Sequence, residues 1–105
     1  MAQIIRGTTP TIEFRFKEVP VDTINTAVLT IRQNGTVVIE KHKRTADVGK
    51  DTISWKLTQQ DTLALNLGAS RIMVNWLTAD GTRGASNQYV VEVLPNQWNE
   101  VILHD

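Results

Sequence analysis

Cysteine is absent from the 105 residues of this chain. Without thiols the protein has no disulfide, no thiolate nucleophile and no cysteine-ligated zinc site. The chain also lacks an excess of positive or negative charge, because eleven lysine and arginine residues balance eleven aspartate and glutamate residues. A chain without net charge has no long-range field that draws it to nucleic acid or to an anionic membrane. We therefore expect neither of these partners.

Long apolar runs are absent as well. No stretch approaches the roughly 20 consecutive apolar residues that a membrane-spanning helix needs. The N-terminal segment, MAQIIRGTTP, is too short and too polar to hold the apolar region of a secretory signal peptide. These absences predict a protein that does not enter a membrane and is not secreted through a signal peptide.

The residues that are present have the composition of a folded domain. Apolar residues make up 41% of the chain and charged residues 21%, which excludes a disordered class. A length of 105 residues suits one domain with a single core. We expect residues 1–95 to form this domain and residues 96–105 to form a C-terminal tail or a last strand.

Apolar and polar side chains alternate with a period of two along most of the sequence. The segments TIEFRF, at residues 11–16, and ISWKL, at residues 53–57, show the pattern of half-buried strands. Similar segments recur at a spacing of about 8–12 residues, which predicts an all-β sandwich of about seven to eight strands. An earlier apolar piece, residues 3–6, is separated from the first of these by Gly7 and Pro10. Such a break favours an edge strand or a strand that switches between sheets.

A hairpin is predicted around the pair Asn34–Gly35, which lies between two segments rich in β-branched residues. This dipeptide is typical of a type I′ turn, in which both central residues have positive φ. We expect Leu29 and Ile31 before the turn, with Val37 and Ile39 after it, to supply the inward face. The basic run that follows, residues 41–44, is interpreted as the solvated end of this hairpin.

One segment, LTQQDTLAL, departs from the alternation and indicates a short helix near residues 59–64. Thr58 suits the N-cap, and Asp61 occupies the third helical position, where a carboxylate meets free amides and the positive end of the helix dipole. Leu63 and Leu65 follow at positions that allow packing on the sandwich. We therefore expect the helix to connect strands of opposite sheets.

Residues that could carry catalysis are few and scattered. The two histidines, His42 and His104, lie far apart in the sequence, and structural zinc sites usually take four nitrogen or sulfur ligands. Nucleophile elbows, phosphate-binding glycine loops and calcium-loop spacings do not occur. The sequence therefore predicts a protein that is not an enzyme and binds no metal and no cofactor.

Several apolar residues lie at positions that would point away from the core of a sandwich. In two of the predicted strands, a second face carries apolar side chains that need a cover, either the chain's own tail or a partner. Both alternatives remain open from the sequence. The tail itself ends in further apolar residues. The candidate interface therefore comprises Met73, Leu77, Val90, Trp98, Val101, Ile102 and Leu103.

Four segments, IIRGTTPTIEFRF, LTIRQNGTVVIEK, LTQQDTLAL and TADGTRGAS, occur in this order over roughly residues 4–94. In this layout the chain resembles small proteins encoded in prophages of Gram-positive gut bacteria. It is similar to the N-terminal immunoglobulin-like domain of phage baseplate upper proteins. The resemblance implies an immunoglobulin-like sandwich that serves as a virion structural or accessory module, associated with the tail or baseplate.

Partners and location follow from the same resemblance. It implies contacts with other phage structural proteins, and a homo-oligomer is compatible with the exposed apolar positions. The protein would lie in the virion, or in the cytoplasm of the bacterial host before assembly. Two alternatives are a head decoration protein and a carbohydrate-binding sandwich. For a glycan the candidate aromatic residues are Trp98 and Tyr89, although we expect Tyr89, like Val91 and Val93, to face inward.

Overall fold

The computed structural model describes residues 2–104, and within them the chain forms nine strands and one α-helix. Two single turns of 3-10 helix, Val21–Thr23 and Lys43–Thr45, lie between strands, and the α-helix is α1 (Gln59–Leu63). The strands are β1 (Ala2–Ile5), β2 (Thr11–Arg15), β3 (Ile24–Gln33), β4 (Thr36–His42), β5 (Asp47–Val48), β6 (Thr52–Lys56), β7 (Gly68–Thr78), β8 (Arg83–Ala85) and β9 (Tyr89–Leu94).

The strands form two sheets that pack face to face. The larger sheet has the order β1-β9-β7-β3-β4, and β8 also pairs with β7; the smaller sheet has the order β2-β6-β5. Within residues 2–104, only the β1–β9 pair is parallel. The prediction of an all-β sandwich is confirmed. The strand number exceeds the predicted seven to eight because β5 and β8, of two and three residues, are too short to show an alternation.

The first part of the chain switches between the two sheets, as predicted. β1 pairs with β9 of the larger sheet and β2 with β6 of the smaller sheet. Gly7, with φ +85°, lies in the connection at a backbone conformation that side chains disfavour. Because β1 belongs to the larger sheet, β2 has a neighbour on one side only and is an edge strand of the smaller sheet.

The predicted hairpin joins β3 and β4, and both turn residues have positive φ, 51° at Asn34 and 77° at Gly35. The expectation for Val37 is wrong, since its side chain is 45% exposed. Ile31 pairs with Ile39, but the next residue, Arg32, pairs with Val37. A β-bulge at Val38 therefore reverses the alternation and turns Val37 to the outer face.

Helix α1 has the cap that the sequence predicts. The Thr58 hydroxyl accepts a hydrogen bond from the Asp61 amide at 3.0 Å, and the Thr58 amide donates to the Asp61 carboxylate at 2.8 Å. Leu65 just after the helix is fully buried, and Leu63 is half-buried. The helix connects β6 of the smaller sheet to β7 of the larger sheet.

The core lies between the sheets and includes Ile53, Trp55 and Leu57 of the β6 region, opposite Leu29 and Val74 of the larger sheet. Trp55 is fully buried, and its indole N–H donates to the His42 carbonyl at 3.0 Å. A buried aromatic side chain with a polar atom needs such a partner. Among the described residues, no helix is both long and apolar enough to cross a membrane.

Residues 95–104, referred to below as the tail, contain no strand and no helix. Asn96 donates to the Arg6 carbonyl at 2.8 Å. Further along, the Ile102 amide donates to the Gln59 side chain at 2.7 Å, and that side chain donates back to the Ile102 carbonyl at 3.0 Å. The tail therefore lies along the β1–β2 connection and helix α1.

Candidate binding surfaces

An aromatic groove opens between the edge strand β2 and the β7–β9 region of the larger sheet. Its volume is about 430 Å³, and it holds four of the chain's six aromatic side chains. Clefts lined by aromatic residues with a few polar groups are common binding sites. The groove is lined by Phe14, Arg15, Phe16, Lys17, Glu18, Val19, Trp76, Ala85, Ser86, Asn87 and Tyr89.

The aromatic rings of the groove form two edge-to-face pairs. Phe14 meets Tyr89 with ring centroids 5.8 Å apart, and Phe16 meets Trp76 at 5.1 Å. This arrangement brings the positive edge of one ring to the negative face of the other. The two pairs hold one wall of the groove, from the smaller sheet, against the other wall, from the larger sheet.

Tyr89 is on the inward face of β9, as expected, since it pairs with Ile72 of β7. Unlike Val91 and Val93, however, its side chain is 51% exposed. The strand opposite it, β2, has no neighbour on its outer side. The ring therefore points into the groove and reaches solvent.

Trp76 is held in place by the strand beside it. Gly84 of β8 pairs with Trp76, and a Cβ at Gly84 would lie 2.5 Å from the indole ring. At the end of β8, the Ser86 hydroxyl accepts from the Val74 amide at 2.9 Å, and the Ser86 amide donates to the Val74 carbonyl at 2.8 Å. These contacts define the floor of the groove.

Charged side chains border the groove on the β2 side. Arg15 forms ion pairs with Asp51 at 2.8 Å and with Glu13 at 3.7 Å, and all three side chains are about half exposed. Ion pairs of this kind contribute little to folding stability. They leave the backbone edge of β2 free.

Three predicted interface residues, Met73, Leu77 and Val90, lie on the outer face of the larger sheet. Leu77 and Val90 are exposed, and Met73 is half-buried. Their cross-strand neighbours are polar, because Met73 pairs with Thr30, Leu77 with Thr26 and Val90 with Arg71. The three side chains are thus dispersed among polar ones. The hydrogen bonds of the tail, to Arg6 and Gln59, do not place it on this face.

The other four predicted interface residues belong to the tail, and all are exposed. The exposed fractions are 59% for Trp98, 38% for Val101, 67% for Ile102 and 79% for Leu103. The backbone of Ile102 is nevertheless fixed by its two hydrogen bonds to Gln59. The structure therefore separates the seven residues into two groups, and their role as an interface stays a prediction.

The basic run, residues 41–44, is only partly solvated, which corrects its interpretation. The Lys43 ammonium donates to the Ile24 carbonyl at 2.7 Å, and that of Lys41 forms a 2.9 Å ion pair with Asp61 of helix α1. Arg44 is exposed. Lys41 faces inward because it follows the core residue Ile39 by two positions in the same strand, and it pairs with the core residue Leu29.

Among residues 2–104, two carboxylates have shifted pKa values, and both are lowered. Partial burial raises the pKa of Asp61, but hydrogen bonds from the Thr58 amide and from Lys41 outweigh it. The pKa of Asp80 is lowered by hydrogen bonds from the Thr78 hydroxyl and from Thr82. The same contacts tie Asp61 to the cap of α1 and Asp80 to the turn after β7.

Histidine and acidic residues do not gather into a site. His42 lies 2.8 Å from Glu40 at the surface. Within residues 2–104, no three histidine or acidic side chains lie close enough together to hold a metal ion. The groove and the tail are therefore the surfaces on which a functional argument can rest.

Comparison with known proteins identifies the fold of this chain. No family model matches the chain, and no curated protein matches it significantly. Among solved structures, CopC from Methylosinus trichosporium OB3b is similar with a TM-score of 0.59 and 17% identity, over 91% of this chain and 85% of that one. A strand-swapped dimer of the mouse leukocyte-associated immunoglobulin-like receptor 1 domain has a TM-score of 0.54 and 14% identity, over 88% and 85%.

The chain thus has an immunoglobulin-like β-sandwich fold. A fold of this kind supports many functions, so the function has to be argued from surfaces. The aromatic groove was not predicted from the sequence. Its signal was present, because Phe14, Phe16, Trp76 and Tyr89 all occupy inward positions of their strands, but their meeting depends on strand pairings that one sequence does not reveal.

Proposed function

We propose that this protein is a non-enzymatic interaction domain that acts through protein–protein contacts in a phage tail or baseplate. The sequence resemblance over roughly residues 4–94 supports the phage assembly. Exposed apolar side chains support the contact function, since surfaces of this kind mark interaction sites.

The observation that carries the proposal is the tail. Ile102 and Leu103 expose large apolar side chains while the Gln59 side chain holds the tail backbone. A partner that covers them would gain roughly 25 cal/mol for each Å² of apolar area removed from water. Because the backbone is already ordered, less conformational entropy is lost on binding than for a free segment.

The test is co-sedimentation with phage particles from a host that produces the tagged chain. We expect the wild-type chain in purified particles and loss of at least about tenfold for Ile102→Asp or Leu103→Asp, since a buried charge disrupts an apolar contact. Val48→Asp is the matched control, because Val48 is also an exposed apolar residue but lies on β5. Absence of the folded wild-type chain from particles would overturn the proposal.

The same preparation distinguishes a head decoration protein. If the chain belongs to the tail or baseplate, it should fractionate with isolated tails and not with tailless capsids. Recovery with capsids alone would assign it to the head and contradict the tail proposal.

A second candidate function is carbohydrate binding, which the aromatic groove favours. The half-exposed Tyr89 ring offers a stacking surface, and Arg15 and Asn87 beside it offer hydrogen-bonding groups. A glycan array decides, with Tyr89→Ala as the groove variant and Trp98→Ala as the control in the tail. Binding that only Tyr89→Ala removes would support the groove, whereas no binding by the wild type would exclude this candidate.

A further inference from the structure

We infer that two copies of this chain associate through the free edge of β2, which pairs with itself about a two-fold axis at Phe14. This inference rests on the proposed interaction function and names a second copy as one of its partners. The assembly would join the two smaller sheets into one continuous sheet. Addition of a strand to an open edge is a common mode of association.

The first support is the direction of the backbone groups on β2. The Leu57 amide donates to the Pro10 carbonyl at 2.9 Å, and the Phe16 amide donates to the Asp51 carbonyl at 2.8 Å. Hydrogen-bonding direction alternates along an antiparallel strand. Ile12 and Phe14 therefore direct their backbone groups to β6, while Thr11, Glu13 and Arg15 direct theirs outward. No strand among residues 2–104 pairs with this outer side.

The second support is charge complementarity in one register. When Phe14 lies opposite Phe14 of the second copy, Glu13 lies opposite Arg15 of that copy, and Arg15 opposite its Glu13. These residues carry the outward backbone groups, so each pair exchanges two hydrogen bonds. Opposite charges directly across an antiparallel pair attract. Both side chains are about half exposed and able to rearrange.

Neighbouring registers are less favourable because they place like charges together. An axis at Glu13 puts Glu13 opposite itself. An axis at Arg15 brings Glu13 opposite Lys17 but puts Arg15 opposite itself. Charged residues on an edge strand usually discourage pairing. Of these three registers, only the axis at Phe14 gives attractive pairs without a pair of like charges.

The third support is the aromatic groove on the inner side of the same edge. In the inferred register the two Phe14 rings meet at the axis, and Ile12 lies opposite Phe16 of the second copy. All three side chains are only half-buried in the single chain. Phe14 also contacts Tyr89, so two such aromatic pairs would come together at the axis. Association thus covers apolar surface that the edge leaves open.

Analytical ultracentrifugation over a concentration series tests the inference. A contact of one short strand per chain is smaller than standard interfaces, so we expect a dissociation constant of about 10⁻⁵ to 10⁻⁴ M for the wild type. Glu13→Arg and Arg15→Glu should each weaken self-association at least about tenfold, because each places like charges across both pairs. Glu92→Arg is the matched control on β9 and should leave association unchanged.

Mixing the two charge variants is the decisive experiment. Arg at position 13 of one variant then lies opposite Glu at position 15 of the other, and the second pair is the native combination. We expect the mixture to form heterodimers about as tightly as the wild type. Wild type that stays monomeric at millimolar concentration, or variants that fold by circular dichroism but do not combine, would overturn the inference.

A variant that tightens self-association is also tested, because misfolding of a variant would weaken association for an unrelated reason. In the inferred register Thr11 lies opposite position 17 of the second copy, where Lys17 follows the end of β2 in a bend. Thr11→Glu should therefore tighten association about fivefold by bringing a carboxylate near each Lys17 ammonium group. No tightening contradicts the inferred register. A monomeric chain that still co-sediments with phage particles refutes only this inference, whereas a dimer absent from particles refutes only the proposed function.

Discussion

Strands β2 and β6 are neighbours with the same sequence pattern but different depths of burial. Ile53, Trp55 and Leu57 are at most 1% exposed, whereas Ile12 and Phe14 are only half-buried. β6 has a strand on each side, and β2 has a strand on one side only. Alternation therefore indicates which face of a strand points inward, and neighbouring strands determine how deeply that face is buried.

The largest expected loss of stability comes from a substitution in β6, the more deeply buried of the two strands. Trp55→Ala should lower the free energy of unfolding by about 3–5 kcal/mol, because it leaves a cavity and removes the partner of the His42 carbonyl. Phe14→Ala should cost about 1–2 kcal/mol in dilute solution, since its ring is half-buried. Urea titration at low concentration measures both. Equal losses would contradict the contrast between the strands.

A smaller loss of stability is expected from a substitution in β8, on the wall of the aromatic groove that lies opposite β2. Gly84→Ala should cost about 2 kcal/mol, because the added Cβ overlaps the Trp76 indole. Thermal unfolding with tryptophan fluorescence reports both the stability loss and the ring displacement. The double variant with Trp76→Phe should recover part of the loss. Full stability of Gly84→Ala alone would show that Trp76 is not confined there.

The helix that follows β6 offers a further test. Thr58→Ala should reduce stability by about 1 kcal/mol, because the Asp61 amide loses its capping acceptor. Gln60→Ala, at an exposed position of the same helix, is the control and should be nearly neutral. A cap variant as stable as this control would mean that the helix is held by packing alone.

The smallest expected effect depends on pH. The folded-state pKa of Asp61 is below its unfolded value, so its contribution is present above about pH 4 and is lost as pH falls through the folded pKa. Asp61→Asn should therefore lower the melting temperature at neutral pH, and the difference from wild type should shrink as the pH falls below the ordinary aspartate pKa of about 4. A difference that is constant with pH would contradict a role for the charge.

Much of the fold could be predicted because its local signals agree with its tertiary structure. Thr58 and Asp61 predicted the cap, Asn34–Gly35 predicted the turn, and the break at Gly7 predicted the change of sheet. Val37 could not be predicted, since a bulge is decided by the pairing of two strands. The ion pair of Lys41 with Asp61 could not be predicted either, since it depends on where helix α1 packs against β4.

The candidate surfaces were predictable only in part. The apolar residues of the tail indicated a candidate interface, but the sequence left open whether they pack on the same chain or on a partner, and their exposure is seen only in the structure. The alternation of β9 gave the inward direction of Tyr89, but its exposure follows from the edge position of β2, which the sequence does not show. The aromatic groove joins residues separated by up to 75 positions, from Phe14 to Tyr89, so no local pattern could have located it.

Residues 6–10 connect β1 to β2 and allow the two strands to lie in different sheets. By delivering the first strand to β9, these few residues leave the outer side of β2 unshielded. Were the first strand to lie beside β2 instead, the smaller sheet would have no open edge on that side, but Ile4 would leave its place in the core. If copies pair through β2 as we infer, the short link that directs the first strand therefore controls self-association and core packing together.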